Sequence, residues 1–197
     1  MASNSWAAVL TSLKAPGTLY NTYTTAKSML TSATALEGAS SALITLPPNF
    51  FYRGKGLHIF GTAGISNRVT GPDTFTAQIM VGAVIAFTTG AINLTTTAHT
   101  TIPAKFDFYL TCQKEGNGTL GQLMGQSVWQ GQMIAQAASL ADNAGGTGNA
   151  MAPNTAAALG TGFDCTVANT LDFFVAQSFS GAGNGFQMIQ YFVEELN

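Results

Sequence analysis

Catalysis and ligand binding draw on thiols, imidazoles, carboxylates and phosphate-cradling loops, and this sequence holds few of each. Its two cysteines, Cys112 and Cys165, lie 53 positions apart with no CxxC pair. They are open to reading as a disulfide, a reactive thiol or two small buried hydrophobes. Both sit in strand-like sequence, and the last reading is the expectation. His58 and His99 belong to different segments, and a metal would need further ligands from nine scattered acids, so no metal site is expected. Residues 116–121, Gly-Asn-Gly-Thr-Leu-Gly, match GxGxxG. A dinucleotide site requires a helix opening at the last glycine inside a βαβ unit. Strand-like residues follow instead, which predicts a hairpin turn. No GxSxG nucleophile elbow is present. Asp107, Asp172 and Glu194 fall in strand-like segments and could meet on one sheet. Nothing in the sequence brings them to the about 5–10 Å separation that glycoside chemistry needs. The expectation is no enzyme, no catalytic residue and no cofactor.

The elements that position these groups read as strands. Residues 105–113 alternate most cleanly: Phe106, Phe108, Leu110 and Cys112 point one way, and Asp107, Tyr109, Thr111 and Gln113 the other. Phe75, Ala77, Ile79 and Val81 likewise share a face. Residues 41–46 form a short strand stopped by Pro47-Pro48, and 57–65 a strand whose glycines permit bulges. Residues 135–162, rich in Ala, Gly, Asn and Thr, read as a long surface loop with a helical turn near 135–141. Two apolar runs, 171–179 and 186–193, flank small residues at 180–185, which predicts an antiparallel hairpin closing the chain. Adjacent Phe173 and Phe174 cannot share one face, so one of them needs either a second layer or a partner subunit to cover it. About seven to nine short strands at roughly ten-residue intervals predict an all-β, jelly-roll-like antiparallel sandwich. Residues 1–40 stand apart as an N-terminal arm or edge segment, and residues 41–197 form the sandwich domain.

Composition narrows the function. Only 8% of the 197 residues are charged, against roughly 25% in typical soluble domains. Either the surface is polar without charge, or much of it is covered by other subunits, whose interface cores are depleted of Lys, Glu and Asp. The net charge is −2 with no basic stripe, which argues against nucleic acid as a partner. No apolar run reaches the ~18 residues that span a bilayer, and no membrane partner is expected. The first residues lack a basic stretch ahead of an apolar run, so no secretory signal is expected and synthesis is expected in a reducing cytoplasm. Clustered aromatics at 50–52, 106–109, 173–174 and 191–192 fit a core, with a carbohydrate-binding platform as the rival reading.

The pattern resembles the jelly-roll virion structural proteins of tailed bacteriophages, of the capsid decoration or cement type. It is carried by Trp6 with the Thr/Ser-rich segment after it, and by Leu-Pro-Pro-Asn-Phe-Phe at 46–51 with Gly-Lys-Gly-Leu-His-Ile at 54–59. Gly-Ile-Ser at 64–66, the run from Asp164 to Asp172 and the terminal Glu194-Glu195-Leu196-Asn197 complete it. The family's usual Asp-Thr-Thr is Asp164-Cys165-Thr166 here. The resemblance implies a virion protein on the capsid surface, a homo-oligomer (a trimer is expected), with the major capsid protein as partner. The candidate contacts are Trp6, Val9, Leu10, Phe174 and Tyr191. Deletion of residues 1–20 is expected to abolish incorporation and leave the sandwich folded. A tail-associated or head-fibre lectin-like module contacting the host surface is the alternative.

Overall fold

The structure, a computed structural model, describes residues 8–13, 15–21, 23–31, 42–68, 73–137, 148–153, 158–181 and 183–196. Fourteen strands are formed among them: β1 (Ala8–Ser12), β2 (Lys27–Ser28), β3 (Ile44–Leu46), β4 (Gly56–Asn67), β5 (Thr74–Val81), β6 (Val84–Thr88) and β7 (Ile92–Leu94). They continue with β8 (His99–Lys114), β9 (Gly121–Gln130), β10 (Ile134–Ala137), β11 (Asn149–Ala152), β12 (Leu159–Phe163), β13 (Asn169–Gln177) and β14 (Gly185–Leu196).

The chain is an all-β, jelly-roll-like sandwich of two antiparallel sheets. Sheet I has the order β1-β14-β4-β8-β9-β11, with β12 also on β9; sheet II has the order β10-β7-β5-β13-β2, with β3 on β13 and β6 on β5. Long strands carry two short neighbours end to end: β9 pairs β12 through residues 121–124 and β11 through 127–130. Alternation sends one face of each strand inward. In β8 the buried residues are Ala104, Phe106, Phe108, Leu110 and Cys112; in β5 they are Phe75, Ala77, Ile79 and Val81. Trp129 on β9 sits at the centre, with ring centroids 4.8 Å from Phe75, 5.2 Å from Phe106 and 5.8 Å from Phe108. Such edge-on and tilted contacts are the arrangements aromatic quadrupoles favour.

Two expectations are corrected here. The runs at 171–179 and 186–193 are strands but not a hairpin: β13 pairs β5 in sheet II, and β14 pairs β4 in sheet I. Both runs present an apolar face, and those faces meet across the sandwich, with Phe173 and Tyr191 6.0 Å apart. The connection between them therefore crosses from sheet to sheet, a gap of roughly 10 Å. The low-complexity stretch at 135–162 supplies the edge strands β10, β11 and β12; residues 138–147 and 154–157, which include most of the expected helical turn, lie outside the described residues. Small side chains suit these edges. A Cβ on Gly160 would collide with the carbonyl of Ala86, where β12 packs on β6.

The described part of residues 1–40 lies along the chain's own sheets. After β1, Leu13 N–H donates to the Tyr191 carbonyl at 2.9 Å, Gly17 N–H to that of Met188 at 2.7 Å, and Tyr20 bridges Phe186. The chain then reaches sheet II, where β2 pairs β13 and Tyr23, Met29 and Leu30 are buried. Removing residues 1–20 would strip the neighbour from β14, so the deletion is now expected to destabilise the sandwich.

Gly61 on β4 lies opposite Tyr191. A Cβ there would collide with the Gln190 carbonyl and come within 2.8 Å of the Phe106 ring. Gly61→Ala is expected to cost ~1–3 kcal/mol through overpacking. A wild-type denaturation midpoint for this variant would contradict the packing described.

Candidate interaction face

Among the described residues, the outward side chains of sheet I form an extended surface rich in aromatic rings, and register places them. One row crosses six strands through Ser12, Phe192, Phe60, Asp107, Val128 and Met151; the next holds Val9, Glu194, His58, Tyr109 and Gln126. Directly opposed residues on neighbouring strands share a face and touch. Val9, Tyr109 and Met151 are 59%, 50% and 69% exposed, while Phe60 and Phe192 are half-buried.

A column of stacked rings runs through the middle of this face. Phe192 lies on Phe60 (5.2 Å, 19°), Phe60 on His58 (4.5 Å, 22°), and His58 on Tyr109 (4.4 Å, 6°). Phe60 and His58 each stack with two neighbouring rings. Charged groups bracket the column. His58 Nε2 is 3.0 Å from Asp107 Oδ1, and Nδ1 is 3.5 Å from Glu194 Oε2. Lys105 Nζ is 2.8 Å from the other Asp107 oxygen. That hydrogen bond holds the Lys105 ammonium above the usual lysine range. Acid and base on this face are thus paired with each other.

The three carboxylates weighed in the sequence divide between the sheets. Asp107 and Glu194 converge on opposite nitrogens of His58, whereas Asp172 is on β13 in sheet II. Asp172 Oδ1 accepts from Ser28 Oγ at 2.7 Å and from Phe173 N–H at 2.7 Å. Burial pushes its carboxyl above the usual range, opposed by those hydrogen bonds. A raised acid favours the folded state below its unfolded pKa, and that advantage is lost as pH rises through the folded value. Asp172→Asn keeps an amide oxygen for both donors and removes the desolvated charge. The variant is expected to be more stable than wild type at pH 7, with the difference vanishing in acid. An unchanged or lower melting temperature at pH 7 would refute this account. Among the described residues no group of three or more His, Cys, Asp or Glu side chains is arranged to hold a metal ion.

The candidate contacts disperse. Val9 ends a row of the face, opposite Glu194. Leu10 is partly buried against the core. Phe174 is half-buried on the outside of sheet II, between Gln78 and Ser28, while Phe173 fills the core. Trp6 lies outside the described residues. Tyr191 is corrected: it is 1% exposed, inside the sandwich, and cannot make an intersubunit contact in this fold. The reason is a bulge in β14 between Met188 and Gln190. Before it, Phe186 and Met188 face inward; after it, Tyr191 and Val193 do. The extra residue flips the phase of the strand, burying Tyr191 and turning Phe192 out to the ring column. In the sequence His58 is weighed only as a metal ligand and Phe192 only within the aromatic cluster at 191–192; neither they nor Phe60 are named as contacts. Alternation around buried Leu57 and Ile59 could have placed His58 and Phe60 outward, but no local signal marks the bulge.

These features define an all-β sandwich with one aromatic, internally charge-paired outer face. No protein-family model matches the chain, and no curated protein matches it. Among solved structures it is similar to the CBM2 module of an evolved Dit of Lactobacillus casei BL23 phage J-1. The likeness covers 98% of this chain and 97% of that one, at 10% sequence identity and a TM-score of 0.36. No helix among the described residues is long and apolar enough to cross a membrane.

Proposed function

We propose that this chain is a non-enzymatic structural protein of a tailed-phage particle, a capsid decoration or cement protein that docks through the outer face of sheet I. The observation that carries the docking face is the ring column with its self-satisfied charges. Interface cores are rich in aromatic residues and poor in unpaired charge, and this face has that composition on a protein with only 8% charged residues. The phage assignment rests on the sequence resemblance given above. Its occupant is the repeated shell protein, met by the chain as a homo-oligomer. Each bound copy stabilises the shell by mass action, because it favours the assembled state alone.

The ring geometry favours a protein partner over a sugar. A glycan platform offers ring faces to solvent. Here Phe60 stacks between Phe192 and His58, and His58 between Phe60 and Tyr109, which leaves only the two end rings with a side outside the column. The decisive experiment is electron cryo-microscopy of the source phage, together with co-sedimentation of purified chain with shells that lack it. Ordered density on the capsid exterior with sheet I facing the shell is expected. Absence of the chain from the particle, or density with sheet I facing solvent, would overturn the reading. Saturable binding on a glycan array without shell binding would favour the lectin-like alternative.

A further inference from the structure

A neutral imidazole carries one N–H, so it donates from one ring nitrogen and accepts at the other; only the imidazolium donates from both. On the outer face of sheet I both nitrogens of His58 meet carboxylate oxygens, which only accept. Nε2 is 3.0 Å from Asp107 Oδ1, and Nδ1 is 3.5 Å from Glu194 Oε2. Neither a change of tautomer nor a flip of the ring mends this, because each leaves one nitrogen lone pair against an acid. The ring is also held in place by stacking, 4.5 Å from Phe60 and 4.4 Å from Tyr109. Each strand packed beside His58 contributes to its surroundings. From β8 come Tyr109 and Asp107, whose other oxygen is 2.8 Å from Lys105 Nζ. From β14 comes Glu194, while Glu195 beside it is taken by Lys55 at 3.0 Å. On its own strand the ring meets Phe60, and β1 sets Val9 opposite Glu194. With His58 protonated, the imidazolium and Lys105 balance Asp107 and Glu194. With His58 neutral, both acids face Lys105 alone.

Given the docking face proposed above, we infer that His58 is the proton-operated control of that face: the imidazolium completes its charge pairing, and docking takes up a proton where the imidazole is neutral. In the free chain water covers the spare anion, because His58, Asp107 and Glu194 all keep some exposure. Docking excludes that water, and an unpaired charge in a dry contact is more costly than a paired one. The partner therefore prefers the protonated face. A step that binds a proton is favoured at low pH and loses affinity as pH rises through the titration of the group concerned. Imidazole is the side chain whose ordinary change of charge falls between about pH 5 and 8, and that sets the window. The shell surface meets a balanced, aromatic patch in mild acid and a negative one in mild base.

The test is co-sedimentation of the purified full chain with shells that lack it, at about pH 5.5 and about pH 8 and one ionic strength. Wild type is expected to bind about tenfold more tightly at the lower pH. His58→Gln cannot take the proton; it should bind with the weaker affinity throughout, and any slope it retains belongs to the shell. Glu194→Gln removes the spare anion and should bind at the higher pH as tightly as wild type does at the lower. A packing role for His58 would not produce that rescue. Nitrogen NMR of the imidazole in the free wild-type chain should show both ring nitrogens protonated at the lower pH. A wild-type slope of the opposite sign, or one shared by either variant, would overturn the inference and leave docking intact, as would a ring with one proton in acid. Absence of shell binding at every pH would overturn docking, and the inference with it. The NMR and the comparison with Glu194→Gln decide the matter even where His58→Gln fails to fold.

Discussion

Replacing Trp129 with alanine is expected to lower the unfolding free energy by about 3–5 kcal/mol, the range for deleting a buried large aromatic. The indole is fully buried and touches Phe75, Phe106, Phe108, Phe173 and Phe186, rings drawn from both sheets. Its removal leaves a cavity that stiff strands pinned by their ladders cannot close, so the contacts are lost with the transfer free energy. At about 2–4 °C per kcal/mol for a chain of this size, the melting temperature falls by roughly 10 °C. Urea titration with an unchanged m-value would measure the loss directly. A loss under about 1 kcal/mol would mean that Trp129 is not the centre of the core.

The second large effect falls on association. Phe60→Ser and Phe192→Ser, together on the outside of sheet I, should leave the secondary structure intact, because both rings are half-buried and neither enters the core cluster. If this face docks on the shell, each ring is a buried anchor worth at least about 2 kcal/mol, so each substitution weakens binding about 30-fold. Leu120→Ser provides the control, since Leu120 is exposed in the β8–β9 turn and away from this face. Co-sedimentation with shells across a titration reads the difference. Equal binding by the double variant and wild type would remove sheet I from the contact while leaving the fold untouched.

What the sequence by itself determined is local. Alternation in 105–113 and 75–81 placed every buried residue of those segments correctly, because side-chain direction in a strand has a period of two whatever the strand pairs with. The all-β class followed from the same repetition, and the low charge was legible at once. What only the tertiary structure decided is non-local. Whether β13 and β14 share a sheet depends on the partners each finds in β5 and β4, far away in sequence, and two apolar runs around a small-residue turn fit either outcome. The β14 bulge exchanges Tyr191 for Phe192, since one extra residue reverses the phase of everything after it. The candidate face depended on that reversal, as the ring column needs Phe192 outside. The meeting of Asp107, Glu194 and His58 likewise arises from register across strands, which no spacing along the chain encodes.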